Sequence, residues 1–434
     1  MSGYAREHSL IEELFAEGLQ AVEPRTAVKA AMHLDGDDFE VAGRRLELTG
    51  RVVVLAIGKA AVPMAEGCRD VLGSRIETGI ILTKDGHLGG GVPGFEAFEA
   101  RHPLPDERGI AATQHILSVV QDLTDQDVVI ALISGGGSAL LEAPLDGISL
   151  EDFQRTTDVL LRAGAPIQHL NAVRSTISKV KGGGLRRVIG DATCVSLILS
   201  DVLGNDPAVI ASGPTIPATP DADRALALLD QYGVTSQIPG PVLDAMKTLQ
   251  GRSEPAPEHS GDIWHIVGDN RKLLDRIRES AEARHLSVET AWQNQEGEAR
   301  ELGREFVALA QGAKHVDLLL GGGEATVTVS GDGSGGRNTE FALAVAIALD
   351  EESIADWVVA SLGSDGQDGS VDAAGAIADA STVKRAAEQG LDAADYLARN
   401  DSGSFFAALD DLVTPGPTGT NVNDVYLAVR VRRS

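Results

Sequence analysis

Lys59 is the first residue in this sequence whose type and position suggest chemistry. It lies in the segment "AIGKAA" (56–61), where an apolar run ends, a glycine turns the chain and a helical pattern begins. The N–H groups at a helix N-terminus bind anions, whereas a cation there is unfavourable for the helix dipole. Lys59 therefore indicates an anion site. The alternative is a solvated lysine at a helix start.

A glycine-rich turn follows a second apolar run. In "LISGGGSALL" (132–141) that run ends in Gly135, Gly136, Gly137 and Ser138, and a helical pattern follows. The spacing is not that of a Walker A loop. Three consecutive glycines cost chain entropy but let the backbone approach a ligand closely. We therefore expect phosphate binding rather than a plain strand-to-helix turn.

The segment "HLNAVRSTISKVKGGGL" (169–185) carries polar and basic residues at helical spacing. If it is helical, Arg174, Ser178 and Lys181 lie on one face, and Asn171 lies one turn before Arg174. Such a face in a very acidic chain predicts contacts with an anionic ligand. The alternative is a solvated helix face.

Two acidic turns also follow apolar runs. Asp201 comes directly after "ATCVSLILS" (192–200), and Asp365 lies in the glycine-rich loop after "ADWVVASLG" (355–363). Carboxylates at strand ends can hold Mg²⁺ together with its water shell. We expect a magnesium ion at one of these residues, although turn chemistry alone would also place aspartates there.

Residues 331–344, "GDGSGGRNTEFALA", place Gly331, Gly333 and Gly336 at the spacing of a dinucleotide-binding fingerprint. The preceding "ATVTVS" alternates apolar and polar residues, whereas a central Rossmann strand is apolar throughout. The match is therefore not interpreted as a dinucleotide site. Arg337 and Asn338, at the predicted helix start, are instead expected to bind a carboxylate or phosphate.

Strand-sized apolar runs alternate with helical patterns along the chain. Most runs are continuous, which is typical of strands covered by helices on both faces. We therefore predict the α/β class with mostly parallel, doubly wound sheets. The length of 434 residues favours two domains, 1–240 and 262–434, with a proline-containing linker region at 241–261.

The composition argues against several classes of protein. A net charge of −27 without a basic patch argues against nucleic acid as a partner. The apolar runs are too short to cross a membrane, and the N-terminus lacks a signal-peptide pattern. Two cysteines fit a reducing cytoplasm, where we expect the protein. With 64 acidic residues, 28 arginines and 9 lysines, a halophilic protein is predicted; an acidic mesophilic protein is the alternative.

Together these motifs resemble one family, the glycerate 2-kinases that carry a C-terminal MOFRL domain. The matching stretches run in family order along nearly the whole chain: "GKAA", "TKDGH", "HPLPDE", "ISGGGSALL", "LNAVRSTISKVKGGGL", "SDVLGNDPAVIASGPT", "GGGEATV", "GGRNTEFAL", "GSDGQDGSVDAAGA" and "TGTNVND". The resemblance implies two α/β/α domains around an interdomain cleft. It also implies ATP- and Mg²⁺-dependent phosphorylation of D-glycerate to 2-phosphoglycerate. Lys59 and Arg337 match the family's proposed active-site lysine and arginine.

The resulting hypothesis gives each candidate residue a role in phosphoryl transfer. Lys59 contacts the transferring phosphoryl group, and Arg337 holds the glycerate carboxylate. ATP is bound by Gly135, Gly136, Gly137, Ser138 and Lys181. D-glycerate is also contacted by Asn171, Arg174 and Asn338. Mg²⁺ is held by Asp201 or Asp365, and the protein is expected to be a monomer or a homodimer.

Two alternatives from other classes stay open. An NAD(P)H-dependent hydroxypyruvate reductase needs a dinucleotide fingerprint, for which the sequence offers the match at 331–336. A non-catalytic regulator that binds a sugar acid would bind its ligand without ATP turnover, and it leaves Lys59 without a role.

Overall fold

The computed structural model describes residues 4–36, 38–251 and 259–432. The chain forms two compact units: an N-terminal unit, Pro24–Val267, and a C-terminal unit, Gly268–Ser434 together with Met1–Glu23. Within the described ranges, no helix is long and apolar enough to cross a membrane.

Helices and strands alternate along most of the chain. The α-helices are α1 (Ala5–Ala21), α2 (Pro24–Ala30), α3 (Ala61–Leu72), α4 (Glu107–Val120), α5 (Gly137–Leu140), α6 (Leu150–Arg162), α7 (Ile167–Thr176), α8 (Gly184–Ile189), α9 (Ala222–Gln231), α10 (Gly240–Leu249), α11 (Asn270–Ala283), α12 (Ala299–Gly312), α13 (Arg337–Glu351), α14 (Thr382–Glu388), α15 (Ala393–Ala398) and α16 (Ser402–Leu409). The strands are β1 (Met32–Asp35), β2 (Asp38–Val41), β3 (Arg44–Glu47), β4 (Val52–Ile57), β5 (Thr78–Lys84), β6 (Phe95–Ala100), β7 (Val128–Ile133), β8 (Thr193–Leu199), β9 (Ile263–Gly268), β10 (Val288–Glu298), β11 (Leu318–Thr326), β12 (Trp357–Gly363), β13 (Gly375–Ala378), β14 (Leu412–Val413) and β15 (Asp424–Arg430).

The N-terminal unit is built on a sheet with the strand order β6-β5-β4-β7-β8-β9. Strands β4 to β8 pair in parallel. The central strands β4 and β7, "VVVLAI" and "VVIALI", are buried at every residue, because helices cover the sheet. Val53, Leu55 and Ile57 of β4, for example, pack in one core with residues of α4 and α8. The predicted doubly wound α/β sheet is confirmed for this unit.

The strand order reverses direction between β4 and β7. From β4 the chain proceeds to β5 and β6 on one side, and from β7 to β8 on the other. In such sheets ligands bind beyond the carboxyl ends of the strands that flank this switch point. Ile57 and Ile133 end the two strands in register, so the segments that follow them begin side by side.

The C-terminal unit has a mixed sheet with the order β10-β11-β15-β12-β13-β14. β10 and β11 pair in parallel, whereas β15 pairs antiparallel with both β11 and β12. The pairs β12–β13 and β13–β14 are also antiparallel. The expectation of a mostly parallel sheet is therefore wrong for this unit, since the last strand enters the middle of the sheet in the opposite direction.

Helices cover both faces of the second sheet. A side chain built on Gly321 would touch Phe306 of α12, and one built on the next residue, Gly322, would touch Leu274 of α11. Successive residues of a strand face opposite sides, so α11 and α12 lie on opposite faces. The three-layer α/β/α arrangement implied by the resemblance is thus present in this unit.

Helix α13 forms the centre of the C-terminal core. Its sequence "RNTEFALAVAIALDE" is apolar around most of its circumference, and residues 338–349 are all buried. A helix that is apolar on all sides is stable only inside a protein. This burial holds the first turn, which begins at Arg337, in a fixed position.

The two compact units differ from the predicted domains at both boundaries. Helix α10, in the predicted linker 241–261, packs in the N-terminal unit through Val242 and Met246; residues 252–258 of that linker lie outside the described ranges. Strand β9, predicted to open the second domain, extends the first sheet beside β8. Helix α1 belongs to the C-terminal unit, where Gly18 packs against Ile277.

Candidate active site

Lys59 and the glycine loop (residues 134–138) follow the two central strands of the first sheet, β4 and β7. The N–H of Lys59 donates to the carbonyl of Gly135 at 2.9 Å, and the N–H of Ala60 donates to Ser134 Oγ at 3.1 Å. These bonds tie the two turns together at the switch point. The structure therefore places Lys59 beside the loop that was predicted to bind phosphate.

Three side chains surround the loop so closely that glycine is required. A Cβ atom on Gly135 would lie 2.3 Å from Asp201 Oδ2. Gly136 has a φ of +83°, and a Cβ there would lie 3.3 Å from both Lys59 Cγ and His102 Nε2. The structure thus brings Lys59, the glycines and Asp201 together, as the sequence analysis hypothesised, and adds His102.

His102 is half-buried next to the glycine loop. Burial, together with the positive charges of Lys59 and Lys84 and the nearby His87, lowers its pKa from 6.5 to about 4. The imidazole is therefore neutral at physiological pH and can accept or donate one hydrogen bond. His102 belongs to the stretch "HPLPDE" shortly after strand β6, which was predicted from the sequence to line the ligand-binding cleft, with no chemical role for the histidine itself.

Ser138 joins the loop to the segment 169–185. Its carbonyl accepts hydrogen bonds from Lys181 Nζ and, at 3.2 Å, from Arg174 Nη2. Its hydroxyl shares a 2.7 Å hydrogen bond with Ser212, whose hydroxyl also donates to Asn171 Oδ1 at 3.4 Å. Asn171, Arg174 and Lys181 therefore converge on Ser138, which was also a candidate.

The route by which these residues converge differs from the prediction. Helix α7 ends at Thr176, so Arg174 and Lys181 do not share a helical face. Lys181 is not solvated either, since 1% of its side chain is exposed. The three glycines 182–184 turn the chain so that Gly182 and Gly183 donate to the carbonyls of Ser212 and Gly213.

Beneath the loop, Lys181 faces a buried carboxylate that the sequence analysis missed. Glu142 is fully buried; its Oε2 lies 3.3 Å from Lys181 Nζ, and its Oε1 accepts from Ser178 Oγ at 2.7 Å. Burial lowers the pKa of Lys181 to about 8, against the opposing effect of Glu142. Lys181 therefore supports the loop from inside rather than presenting its ammonium to a ligand. A single glutamate after a short helix carries no sequence signal for this role.

The turn opposite Ser138 has strained backbone. Ala211 and Ser212 have positive φ values of 51° and 63°, a region that residues with a side chain rarely adopt. Ala211 Cβ lies 2.9 Å from the position of a Cβ on Gly137. Strain of this kind concentrates at functional sites, where the surroundings enforce it.

In the C-terminal unit, Arg337 begins α13 between two carboxylates. Its Nη1 donates to Glu324 Oε1 at 2.7 Å, and its Nη2 donates to Asp424 Oδ1 at 3.0 Å. Asp424 Oδ2 also lies 2.7 Å from Nε, as an ion pair without hydrogen-bond geometry. Burial raises the pKa of Asp424 to about 7, and Arg337 opposes that rise. The two acids raise the pKa of Arg337, which stays charged.

The N-terminus of α13 is occupied by a carboxylate of the protein itself. Asp368 accepts from the backbone N–H groups of Asn338 at 2.9 Å and Thr339 at 2.8 Å, and from the Thr339 hydroxyl at 2.7 Å. The dipole and free N–H groups of a helix start favour an anion at this position. Asp368 therefore fills the place where a ligand anion was expected.

Asn338 is buried inside this network. Its amide nitrogen faces Asp368 and Asp424, and its amide oxygen accepts from Ser361 Oγ at 2.6 Å. With both ends bonded, the side chain has no group to offer a substrate. The structure places Asn338 behind Arg337, where it holds Asp424, rather than at a surface that a ligand can reach.

The dinucleotide-like glycines have a packing explanation. A Cβ on Gly336 would lie 2.4 Å from Asp368 Oδ1, and Cβ atoms on Gly331 and Gly333 would collide with residues 399–401. The place of a pyrophosphate at the following helix is taken by Asp368. These three glycines are therefore explained by close packing rather than by a bound dinucleotide.

The two predicted metal ligands lie in different units. Asp201 contacts the glycine loop, and Asp365 accepts from the N–H of Gln367 at 3.0 Å within its own turn. Among the described residues, no group of three or more histidine, cysteine, aspartate or glutamate side chains could hold a metal ion. Mg²⁺ is commonly bound by one or two carboxylates with substrate phosphates and water, so a single aspartate such as Asp201 fits that donor set.

The chain is similar to known proteins over most of its length. A family described as a domain of unknown function (DUF4147) matches residues 10–247, and the MOFRL family matches 317–424. A D-glycerate 2-kinase of Thermotoga maritima is 39% identical over 427 residues, 96% of this chain and 97% of that protein. A crystal structure of glycerate kinase from T. maritima superposes with a TM-score of 0.88 at 38% identity, covering 98% of this chain and 100% of that one.

One relative carries a different name. A protein of Agrobacterium vitis, provisionally named a hydroxypyruvate reductase, is 39% identical over 388 residues, 87% of this chain and 86% of that protein. Its similarity covers the same two units, so it does not change the family. The chain belongs to the glycerate 2-kinase family with a C-terminal MOFRL domain.

Proposed function

We propose that the protein transfers the γ-phosphoryl group of ATP to the 2-hydroxyl of D-glycerate, giving 2-phospho-D-glycerate. The observation that carries the proposal is Lys59 beside the glycine loop at the switch point of the first sheet. The Lys59 ammonium has no acidic partner among the described residues, unlike those of Lys29, Lys179 and Lys181. Other lysines in the described ranges, such as Lys314, are also unpaired, but Lys59 is the one of them that lies beside the glycine loop. A cation without a counter-charge, next to closely approachable backbone, suits a phosphoryl group.

Phosphoryl transfer requires charge neutralisation and alignment more than covalent chemistry by the protein. In the proposed mechanism Lys59 neutralises the transferring phosphoryl group, and Gly135 to Ser138 lie along the phosphate chain. Arg337 holds the substrate carboxylate so that the 2-hydroxyl is oriented for in-line attack. Asp201 is the proposed ligand of Mg²⁺, which would neutralise phosphate charge, and Asp365 is the second candidate.

Lys181, Arg174 and Asn171 act indirectly in this proposal. The hydrogen bonds from Lys181 and Arg174 to the carbonyl of Ser138 orient the glycine loop. Asn171 orients Ser212, which in turn bonds to Ser138. These residues are positioning residues, and their replacement should change turnover through the conformation of the loop.

The proposal is tested by incubating the protein with D-glycerate, ATP and Mg²⁺ and identifying the product by phosphorus NMR. The expected product is the 2-phosphate, and Lys59→Ala and Arg337→Ala should each lower kcat/KM by about 100-fold or more. Lys314→Ala, an exposed lysine, is the charge-matched control for Lys59. Unchanged turnover in either active-site variant would contradict the assignment.

The same preparation distinguishes the other two functions. Oxidation of NADH that depends on hydroxypyruvate would support the activity given in the name of the A. vitis relative. Binding of D-glycerate without any ATP consumption would support a non-catalytic regulator. Either result would contradict the kinase proposal only if no phosphoglycerate forms at saturating concentrations of Mg²⁺ and ATP.

The acidic surface supports a proposal about working conditions. With a net charge of −27, repulsion between acidic groups destabilises the fold at low ionic strength and is screened by salt. We propose that the protein is adapted to high salt. The melting temperature and the turnover rate, both measured from 0.1 M to 3 M KCl, should rise with salt concentration. A fall in both would contradict adaptation to high salt.

A further inference from the structure

The two carboxylates that hold Arg337 differ in how firmly they are themselves held. Asp424 has no exposed side-chain surface, and Asn338 Nδ2 lies 3.2 Å from its Oδ1. Glu324 has 42% of its side chain exposed, and its hydrogen bond in the described structure is the one to Arg337 Nη1. Asp424 is therefore a permanent partner, whereas Glu324 can move into solvent.

The donors of Arg337 are only partly used by these acids. A guanidinium has five N–H groups. Nε faces Asp424, Nη2 donates once to Asp424, and Nη1 donates once to Glu324. One N–H remains on each terminal nitrogen. An incoming carboxylate that binds through two parallel hydrogen bonds takes the remaining N–H of each terminal nitrogen and so comes to lie beside Glu324 on Nη1. The two like charges then repel each other, which favours departure of the more exposed carboxylate, Glu324.

A second acidic residue destabilises Glu324 in its present position. Glu296 on β10 is the register partner of Glu324 on β11, and the two strands are parallel. Side chains at paired positions project from the same face at about 5 Å spacing. Glu296 is exposed, and its like charge favours movement of Glu324 away from Arg337.

We propose that Glu324 is an affinity-determining residue: it occupies the terminal nitrogen Nη1 of Arg337 in the free protein and is displaced by the carboxylate of the hydroxy-acid substrate. This inference rests on the proposed function, because it takes Arg337 as the substrate-binding arginine. Displacement costs the exposed ion pair between Arg337 and Glu324. Glu324 thus weakens substrate binding, and it keeps Arg337 paired in the absence of a substrate carboxylate.

The test compares Glu324→Gln with Glu296→Gln. Both remove one negative charge from the same edge of the sheet, but within the described ranges Arg337 forms its ion pairs with Glu324 and Asp424 and not with Glu296. In Glu324→Gln the KM for D-glycerate should fall about two- to fivefold, as expected for an exposed ion pair. The KM for ATP and kcat should not change. Glu296→Gln removes the like charge that favours movement of Glu324, so its KM for D-glycerate should stay at the parent value or rise slightly.

A gain in affinity is informative because loss of a merely structural contact does not produce one. A KM for D-glycerate that rises or stays constant in Glu324→Gln overturns the inference, as does an equal fall in Glu296→Gln. Calorimetric titration of D-glycerate into the nucleotide-free proteins supplies a readout that needs no turnover. If no variant phosphorylates D-glycerate, yet Glu324→Gln binds it more tightly than the parent, the inference stands and the kinase proposal fails.

Discussion

Asp368 should be one of the most important single polar residues for the stability of the C-terminal unit. It caps the central helix α13 from a neighbouring loop, accepting two backbone N–H groups and one hydroxyl within 2.9 Å. The carboxylate is buried, so water has restricted access to these donors. The perturbation to test is Asp368→Ala, which removes the acceptor and leaves the donors in place.

The expected cost follows from those donors. A buried donor without an acceptor costs about 1–3 kcal/mol, and the two backbone N–H groups lose theirs. The Thr339 hydroxyl can still donate to the carbonyl of Gly336 at 3.2 Å. Two effects reduce this cost. Water can enter the space left by the carboxylate. Burial also raises the pKa of Asp368, which means that the ionised carboxylate has a desolvation cost of its own in the folded protein. We therefore expect a loss of about 3–4 kcal/mol, a large part of the ~5–15 kcal/mol of a typical domain.

Urea denaturation followed by circular dichroism measures this difference. The control is Asp392→Ala, which removes an exposed N-cap that accepts from the N–H groups of Ala394 and Asp395. That variant should lose about 1 kcal/mol, the usual value for an accessible cap. If both variants lose the same amount, burial does not amplify the cap and the reasoning about α13 is wrong.

Three further predictions concern the N-terminal unit. Gly135→Ala places a methyl group against Asp201 and should cost about 1–3 kcal/mol with a marked loss of turnover, measured by thermal unfolding and steady-state kinetics. Lys181→Met leaves Glu142 buried without its cation and should lower the free energy of unfolding, measured in urea, by about 3–5 kcal/mol. The double variant Lys181→Met/Glu142→Gln should recover part of that loss, whereas two independent residues would give additive losses. The pKa of His102 is lowered from 6.5 to about 4, so the unfolded chain takes up its proton first, and stability should fall as pH decreases through that window. The melting temperature of His102→Gln should depend less on pH between 6.5 and 4; equal slopes would argue against a desolvated imidazole.

The first sheet could be predicted from the sequence because its pattern is unambiguous. Runs such as residues 52–57 and 128–133 are short and apolar at every position, which is typical of a strand buried on both faces. Parallel pairing follows from the helical segments between them. The glycines at 135–137 then fall at a strand end, so their proximity to Lys59 could be inferred without coordinates.

The second sheet could not be predicted in the same way. An apolar run specifies burial but not direction, and β15 pairs antiparallel with both β11 and β12. Strand β9 follows the proline-containing segment and was therefore predicted to begin the second domain, but it is the edge strand of the first sheet. The amphipathic face of α1 is evident in the sequence, but its partner, α11, lies more than 240 residues away.

Ligand contacts at the candidate site were also difficult to predict from the sequence, because carboxylates of the protein itself occupy positions where a ligand anion was expected. The sequence analysis expected ligand anions at the start of α13 and on Arg337; the structure places Asp368 at the first and Glu324 with Asp424 at the second. A helix start or an arginine attracts any carboxylate, and a chain with 64 acidic residues has many to offer. Spacing alone does not distinguish an internal carboxylate from a bound one.

At Lys59, in contrast to Arg337 and the start of α13, no carboxylate of the described chain takes the place of the expected anion. Its ammonium has no acidic partner among the described residues, although Asp201 lies at the neighbouring glycine. In so acidic a chain an unpaired lysine next to a tight backbone loop has to be kept apart from carboxylates by the fold itself. The strained turn at Ala211 and Ser212 and the buried cations beneath Ser138 hold the loop in that arrangement. Lys84, Lys247, Lys314 and Lys384 also lack an ion pair among the described residues, so the unpaired ammonium alone does not mark a site. The combination of that ammonium with the glycine loop at the switch point is what supports a phosphoryl group at this turn.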